Sequence, residues 1–327
     1  MSVRHLAFRR TELLTNLLLR STLRGLLPGI AAQLAPPWPD LVITAGRRNE
    51  PVARWIWQAA GGTPKLVHIG RPWAAPKLFD LIVTTPQYFV PPAHNVLQID
   101  LPLLPRVELP RPPGTAALQG WQQRLAGLAR PWVAVLVGGD SGPYRLTATR
   151  ARALGNLLRD AVRDGGSLLV TTSGRTPAAA VAALAAVLPP GGHFFDWHCD
   201  PRDDNPYRAY LALADRFVVT AESASMLAEA CATGRPVAMF DLGAAPHERF
   251  ESWRWKPLTF ALGQRLAPRR LRRDIGRIHM RLIERGQAYW LGASPVARAP
   301  APAGNVDELA LAVTRVLQLF EPPHSSG

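Results

Sequence analysis

Asn205–Val237, NPYRAYLALADRFVVTAESASMLAEACATGRPV, reads as a helix, a buried strand, a short polar turn and a second helix. Phe217–Thr220 is a short apolar run of β-forming residues and Ala221–Ser225 is small and polar. Met226–Ala232 holds helix formers that stop at Gly234-Arg235-Pro236. A strand running into a helix N-terminus presents N–H groups and partial positive charge, the surroundings a diphosphate needs. Ser223 or Ser225 would cap this helix or bind phosphate, and Glu229, one turn beyond Ser225, would accept from a ribose hydroxyl. The same pattern also fits an ordinary αβα unit in which Ser225 is a plain cap and Glu229 a solvated helix residue.

Upstream, the alternation of short apolar strands and helices is regular from Asp40 onward. LVITAG (41–46), KLVHIG, DLIVTT and NVLQID read as strands, and PVARWIWQAAG (51–61) as a helix with Pro51 in its first turn. Pro-rich sequence over 101–113 interrupts the series and reads as a linker. A second series follows: strand WVAVLVGG, helix 147–163, strand SLLVTTSG, helix 177–188, strand HFFDWH, helix 206–214 and the unit quoted above. Continuous apolar strands separated by helices indicate parallel sheets covered on both faces. The expected fold is α/β, two Rossmann-like domains facing across a cleft. The expected division is an N-terminal domain over 1–115, a C-terminal one over 116–265, and a basic helix, loop and C-terminal helix over 266–327.

Ligands of open α/β sheets bind beyond the carboxyl ends of the strands. That singles out three further loops. AGRRNE places Arg47, Arg48 and Glu50 after a strand; VGGDSGPY supplies Gly138 and Gly139 for close backbone approach with Asp140 and Tyr144; TTSGRTP sets Ser173, Arg175 and Thr176 before a helix. Each alone equally describes a well-made βα turn.

The chain has 327 residues, enough for two domains, and a net charge of +14 carried almost wholly by Arg, with Lys only at Lys65, Lys77 and Lys256. A basic surface suits acidic partners such as nucleotide diphosphates or an anionic membrane surface. Charge alone suggests nucleic acid; without aromatic-basic interleaving or a known motif, no nucleic-acid partner is expected. Cys199 and Cys231 in so long a chain argue for a reducing compartment without a disulfide framework. No apolar run approaches the roughly 20 residues that span a bilayer, so the expected location is cytoplasmic, with peripheral contact at the inner membrane. Two basic segments suggest such contact. Leu6, Leu13, Leu14, Leu17 and Leu18 fall near helical spacing among arginines. In RLAPRRLRRDIGRIHMRLIER (265–285), Leu271, Ile275, Ile278 and Leu282 mark one buried stripe and leave the arginines outside it.

No G-x-G-x-x-G follows a strand, and neither a Y-x-x-x-K pair nor a P-loop occurs. Hydride chemistry and P-loop hydrolysis are therefore not expected, and no cofactor is assigned. His193, Asp196, His198, Cys199 and Asp200 look like a metal box, but along a strand they alternate faces, so no metal site is assigned.

The ordered set AGRR, FDLIVTTPQY with NVL, VGGDSGPY, TTSGRTP and NPYRAYLALAD followed by VTAESASMLAEACATGRPV resembles the family named for mitochondrial fission and elongated mitochondria in plants, which has many bacterial members. The resemblance covers about residues 40 to 320. It implies an architecture similar to GT-B glycosyltransferases, with a nucleotide-sugar donor held mainly by the C-terminal domain. Arg47 and Arg48 match the family's Gly-Arg-Arg loop; Gly138 and Gly139 its Gly-rich loop; Arg175 and Thr176 its donor-side loop; Ser223, Ser225, Met226 and Glu229 its nucleotide helix. Gly174 stands where Arg is usual and Glu222 where Asp is usual, and the βα unit that usually precedes AGRR is not recognisable. The implied activity is metal-independent transfer of a sugar from a nucleotide diphosphate sugar, with Glu50 as candidate base and the Gly138-Gly139 amides and Arg175 offsetting leaving-group charge. A non-catalytic scaffold and an epimerase-like enzyme are the alternatives. Sugar, acceptor and oligomeric state are not legible.

Overall fold

The computed structural model describes residues 4–8, 21–104, 116–142, 144–200, 204–243, 272–293 and 307–322, with 262, 265, 266, 268 and 269. The chain forms two compact units that do not follow it in order: one takes 1–100, 267–274 and 306–327, the other 101–266 and 275–305. The tail from 266 is thus shared between the units. Of the N-terminal amphipathic segment, 9–20 lie outside the described residues, as do Leu271 and most of 244–271.

In the first unit, β1 (Leu41–Ala45), β2 (Lys65–Ile69), β3 (Leu81–Thr84) and β4 (Val96–Gln98) lie side by side in that order, all parallel. Among the described residues no strand precedes β1. Helix α1 spans Gly46–Ala59 and therefore begins well before the expected Pro51. Gly46 makes this possible: at φ +74 it turns the end of β1 directly into the helix, a conformation other residues seldom adopt. Arg47 and Arg48 consequently lie on the first helical turn, and Pro51 lies inside the helix, where its missing N–H leaves the Arg47 carbonyl without its usual i→i−4 bond. One face of the sheet buries Val42, Leu66 and Ile82 against Ala53, Ile56 and Trp57 of α1.

The second unit is a six-stranded parallel sheet. Its strands are β5 (Trp132–Leu136), β6 (Ser167–Thr171), β7 (His193–Phe195), β8 (Arg216–Thr220), β9 (Val237–Phe240) and β10 (Ala288–Trp290), in the spatial order β10-β9-β8-β5-β6-β7. Read from β7, that is the order 3-2-1-4-5-6 of a doubly wound Rossmann sheet. Helices α2 (Ala116–Leu125), α3 (Ala148–Ala161), α4 (Ala178–Ala185), α5 (Tyr207–Leu213), α6 (Ala224–Ala232) and α7 (Gly276–Glu284) follow or connect these strands. Strand β5 shows why its sequence is apolar throughout. Trp132, Ala134 and Leu136 face a core with Tyr210, Leu227 and Ile278, whereas Val133 and Val135 face the opposite core with Leu154 and Leu184. The predicted stripe of the basic segment holds at Ile275, Ile278 and Leu282, all 1% exposed or less, but the helix is α7 alone. Arg273 lies in a bridge to Tyr88. The last helix, α8 (Glu308–Leu317), belongs to the first unit, where Glu308 Oε1 accepts the Asp100 N–H at 2.6 Å and Arg315 donates to the His94 carbonyl at 2.8 Å.

Candidate functional site

The strand order of the second unit reverses between β5 and β8, and at such a switch point the connections leave in opposite directions and open a crevice beyond the carboxyl ends. Three loops meet there: Gly138-Gly139 after β5, Ser173–Thr176 after β6 and Ala221–Ser223 after β8. Hydrogen bonds knit them together. Ser173 and Thr176 hydroxyls donate to the Gly138 carbonyl at 2.5 and 2.6 Å, the Gly138 N–H donates to Thr220 Oγ1 at 2.8 Å, and the Gly139 N–H donates to Glu222 Oε1 at 2.6 Å. Glycine is needed for this approach. A Cβ on Gly138 would lie 2.0 Å from Glu222 Oε1, and one on Gly139, at φ +145, would lie 2.2 Å from the Arg175 carbonyl oxygen.

These bonds correct one expectation. The amides of Gly138 and Gly139 are already engaged by Thr220 and Glu222, so their partners are strand ends of the same sheet and not a ligand's leaving group. Glu222 keeps bonding capacity. It is 2% exposed; Oε1 takes the Gly139 N–H and lies 3.7 Å from the Arg175 guanidinium, while Oε2 has no hydrogen-bond partner among the described residues. Burial pushes its carboxyl up from the usual carboxylate range to about 7, against the Gly139 N–H, the Thr220 hydroxyl and Arg175, which hold it down. A half-satisfied buried carboxylate at a switch point is a ligand-site signature. In the sequence Glu222 stands out only as a departure from Asp; its chemistry follows from burial, which spacing does not report.

Around it the expected residues divide. Arg175 is present, its side chain 44% exposed, with Nη1 3.4 Å from the Asp140 carbonyl. Ser173 and Thr176 are turn-forming groups, the latter also accepting the Ser173 N–H at 2.9 Å. Helix α6 starts at Ala224, so Ser223 is its N-cap and Ser225 is an exposed residue of the first turn; the Ser223 hydroxyl makes no capping bond. Met226 packs on the core, and Glu229 accepts the Tyr207 hydroxyl, at the start of α5, in a short hydrogen bond on Oε2. Asp140 accepts the Leu146 N–H at 3.1 Å, and Tyr144 pairs with Ser141 and packs between both cores, so each shapes the β5 loop. Gly174 has a local cause. A Cβ there would stand 3.0 Å from the Trp197 ring, which lies where a longer side chain would pass.

The histidine-rich end of β7 is held by specific bonds. His193 Nδ1 meets the Tyr210 hydroxyl at 2.6 Å, Asp196 Oδ1 accepts the His198 N–H at 3.0 Å, and Asp200 Oδ2 accepts the Asp196 N–H at 2.7 Å. Among the described residues no group of three or more His, Cys, Asp or Glu is placed to hold a metal ion.

In the first unit, Glu50 is 0% exposed and both oxygens are occupied: Oε2 accepts the Trp73 N–H at 2.6 Å and Oε1 the Ala74 N–H at 2.9 Å, with Arg54 at 3.9 Å. This carboxylate anchors the loop after β2, and the expected role as a general base finds no support in its geometry. Arg47 is half-buried above the Trp73 ring, and Arg48 is exposed.

The family model for mitochondrial fission ELM1 matches residues 3–285. The chain belongs to the mitochondrial fission ELM1 family. Within it, the Arabidopsis thaliana mitochondrial fission protein ELM1 is 30% identical over 219 residues, 61% of this chain and 51% of that protein, so the chain spans about half the length of this curated relative. Solved structures similar to this ELM1-family chain include a putative UDP-N-acetylglucosamine 2-epimerase from Listeria monocytogenes, with 12% identity, a TM-score of 0.48, and 90% and 75% of the two chains covered. Another, described as trehalose-6-phosphate from E. coli bound with UDP-2-fluoro glucose, has 12% identity, a TM-score of 0.44 and 90% and 76% coverage. The E. coli ADP-heptose lps heptosyltransferase II has 15% identity, a TM-score of 0.39 and 65% coverage of each chain. No helix among the described residues of this ELM1-family chain is long and apolar enough to cross a membrane.

Proposed function

We propose that the second unit binds a nucleotide diphosphate sugar at its switch point and that the protein is a GT-B-type glycosyltransferase. The observation carrying this is Glu222, a buried carboxylate with one oxygen committed and one unpartnered beside Arg175 and the start of α6. In this scheme the first-turn N–H groups of α6 take the diphosphate, Arg175 offsets its charge, and Glu222 Oε2 accepts a sugar hydroxyl. Uncommitted acceptors of this kind discriminate sharply, since a ligand lacking the hydroxyl leaves the carboxylate buried and unpaired. The acceptor is proposed to lie at an anionic membrane surface, a placement favoured by Met280 and Ile283 of α7, 56% and 40% exposed among Arg277 and Arg281. Because Glu50 is committed to the backbone at Trp73 and Ala74, a second reading, donor binding without transfer, is also supported.

Calorimetry against UDP, GDP, ADP, CDP and their sugars tests the donor site. At least one sugar nucleotide should bind, and Glu222→Gln should weaken it about tenfold, a difference of about 1.4 kcal/mol, while leaving pyrophosphate affinity in place. Failure of all of them to bind at millimolar concentration would remove the donor site. Equal losses for sugar nucleotide and pyrophosphate would remove Glu222 from sugar recognition. Radiolabelled-sugar transfer to membrane extracts separates transferase from binding protein.

A further inference from the structure

We propose that the first unit holds a binding site for a phosphate monoester at the carboxyl edge of β1–β3, framed by Arg47, Arg71 and Arg273. It names the class of acceptor for the transferase and in that meaning rests on the proposed function; as an anion site it stands on the first unit alone.

Three segments distant in sequence bring the three guanidiniums together. Arg47 sits on the first turn of α1, Arg71 follows β2, and Arg273 arrives on the returning segment that pairs with Tyr88 beyond β3. The guanidinium carbons of Arg47 and Arg71 stand 5.8 and 5.6 Å from the centroid of the same Trp73 ring, and that of Arg71 also stands 5.4 Å from the Tyr88 ring. Arg273 is oriented by donating its Nε–H to Gln87 Oε1 at 2.8 Å, and Gln87, 4% exposed, is anchored in turn on Thr85 Oγ1 at 3.0 Å. Aromatic faces and a buried amide thus hold the cations close to one another instead of letting them spread into water. The closeness has an electrostatic signature: burial lowers the Arg71 pKa, and Arg273 and Arg47 lower it further while Tyr88 raises it. Guanidiniums gathered in this way present N–H donors and positive charge to one anion.

A second, independent observation comes from the strand ends themselves. On the face that buries Val42, Leu66 and Ile82, the next inward positions toward the carboxyl edge are Thr44, His68 and Thr84, with Thr44 and His68 paired in register. All three are buried. Thr44 Oγ1, Thr84 Oγ1 and both ring nitrogens of His68 lack hydrogen-bond partners among the described residues. The His68 ring lies at the Arg71 backbone but outside hydrogen-bond geometry. Burial pushes its pKa down to about 4, so at neutral pH it is an uncharged imidazole with one donor and one acceptor. Buried polar atoms without partners are costly and rare in native proteins. A row of them at the ends of the strands that lead to Arg47 and Arg71 marks a polar site.

Charge selects the occupant. A phosphate monoester carries close to two negative charges at neutral pH and three acceptor oxygens, which match three guanidiniums better than one carboxylate does, and Arg forks pair with it bidentately. Two sources share this chemistry, a soluble sugar phosphate and a lipid phosphate.

The full chain would be titrated by calorimetry with inorganic phosphate and with a hexose 6-phosphate, at constant ionic strength against chloride. Sedimentation with phosphatidylcholine vesicles, with and without phosphatidic acid, forms the lipid arm. Wild-type protein should bind at least one of these phosphates, and Arg71→Gln and Arg47→Gln should each weaken it about tenfold or more while nucleotide affinity is kept. Binding of the soluble ester identifies a sugar phosphate, and binding confined to phosphatidic acid vesicles a lipid. His68 gives a reading that needs no variant, since its ring resonances should move when the phosphate is added. Phosphates that bind no better than chloride or plain vesicles, variants that bind as wild type does, or an unmoved His68 would each overturn the site. Nucleotide binding without phosphate binding sinks this inference alone; phosphate binding without any nucleotide sinks the donor site and leaves this one standing.

Discussion

Glu50 and Glu222 are both acids buried where a parallel strand has just ended, one in each unit, and they do opposite things. Glu50 accepts two backbone N–H groups on two different oxygens, so its charge is compensated and the loop at Trp73 and Ala74 is tied to α1. Glu222 receives one backbone N–H on one oxygen and leaves the other bare. Burial alone therefore does not mark a functional acid. What distinguishes the two is whether the surrounding backbone uses up the acceptor capacity: a satisfied carboxylate stabilises, and a half-satisfied one keeps a raised pKa and awaits a partner.

The largest effect expected from this contrast is at Glu50. Glu50→Ala should cost about 3–5 kcal/mol, because two buried N–H groups lose a charged acceptor together. Urea denaturation of the full chain measures it, and a loss under about 1 kcal/mol would show that the loop does not depend on this carboxylate. Sugar-nucleotide affinity should survive below the unfolding range.

Glu222 should instead show itself through pH. Its folded-state carboxyl keeps a proton up to about 7, whereas an ordinary Glu loses it near 4.5. The stability carried by that proton is complete below the unfolded value and is lost as pH rises toward 7, on the order of 3 kcal/mol in all. Melting temperatures of wild type and Glu222→Gln, compared between pH 4 and pH 8 (about the span of the two pKa values), should agree at the acidic end and diverge at the alkaline end, the variant lacking the decline. Parallel profiles would make Glu222 as compensated as Glu50.

The smallest effect belongs to Arg175. Its half-exposed guanidinium lowers the Glu222 pKa from 3.7 Å, so Arg175→Gln should move the Glu222 titration upward while changing stability by less than about 1 kcal/mol. Carboxyl NMR of Glu222 reads the midpoint directly. An unmoved midpoint would detach the two residues.

Much of the fold was legible because parallel strands buried on both faces must be apolar at every position, and runs such as Trp132–Leu136 and Phe217–Thr220 carry that signature. Helix starts were less legible. Gly46 opened α1 ahead of Pro51, and Ser223 took the cap position ahead of Ser225, since both boundaries depend on one residue's backbone angles and not on periodicity. Of the site, the sequence exposed the loops around Gly138 and Arg175. It did not expose Glu222 or His68, whose chemistry comes from lost solvent and missing partners.

By itself, the sequence determined the alternation of strands and helices, the glycines where strand ends crowd together, and family membership, because local sterics and hydrophobic burial act on neighbouring residues. Only the tertiary structure decided which acids are spent and which are available, that the Gly138 and Gly139 amides are consumed internally, and that Arg47, Arg71 and Arg273 converge. The physical reason is common to all three. Hydrogen-bond satisfaction and charge proximity are properties of groups brought together from distant parts of the chain, and neither exists until the sheets form.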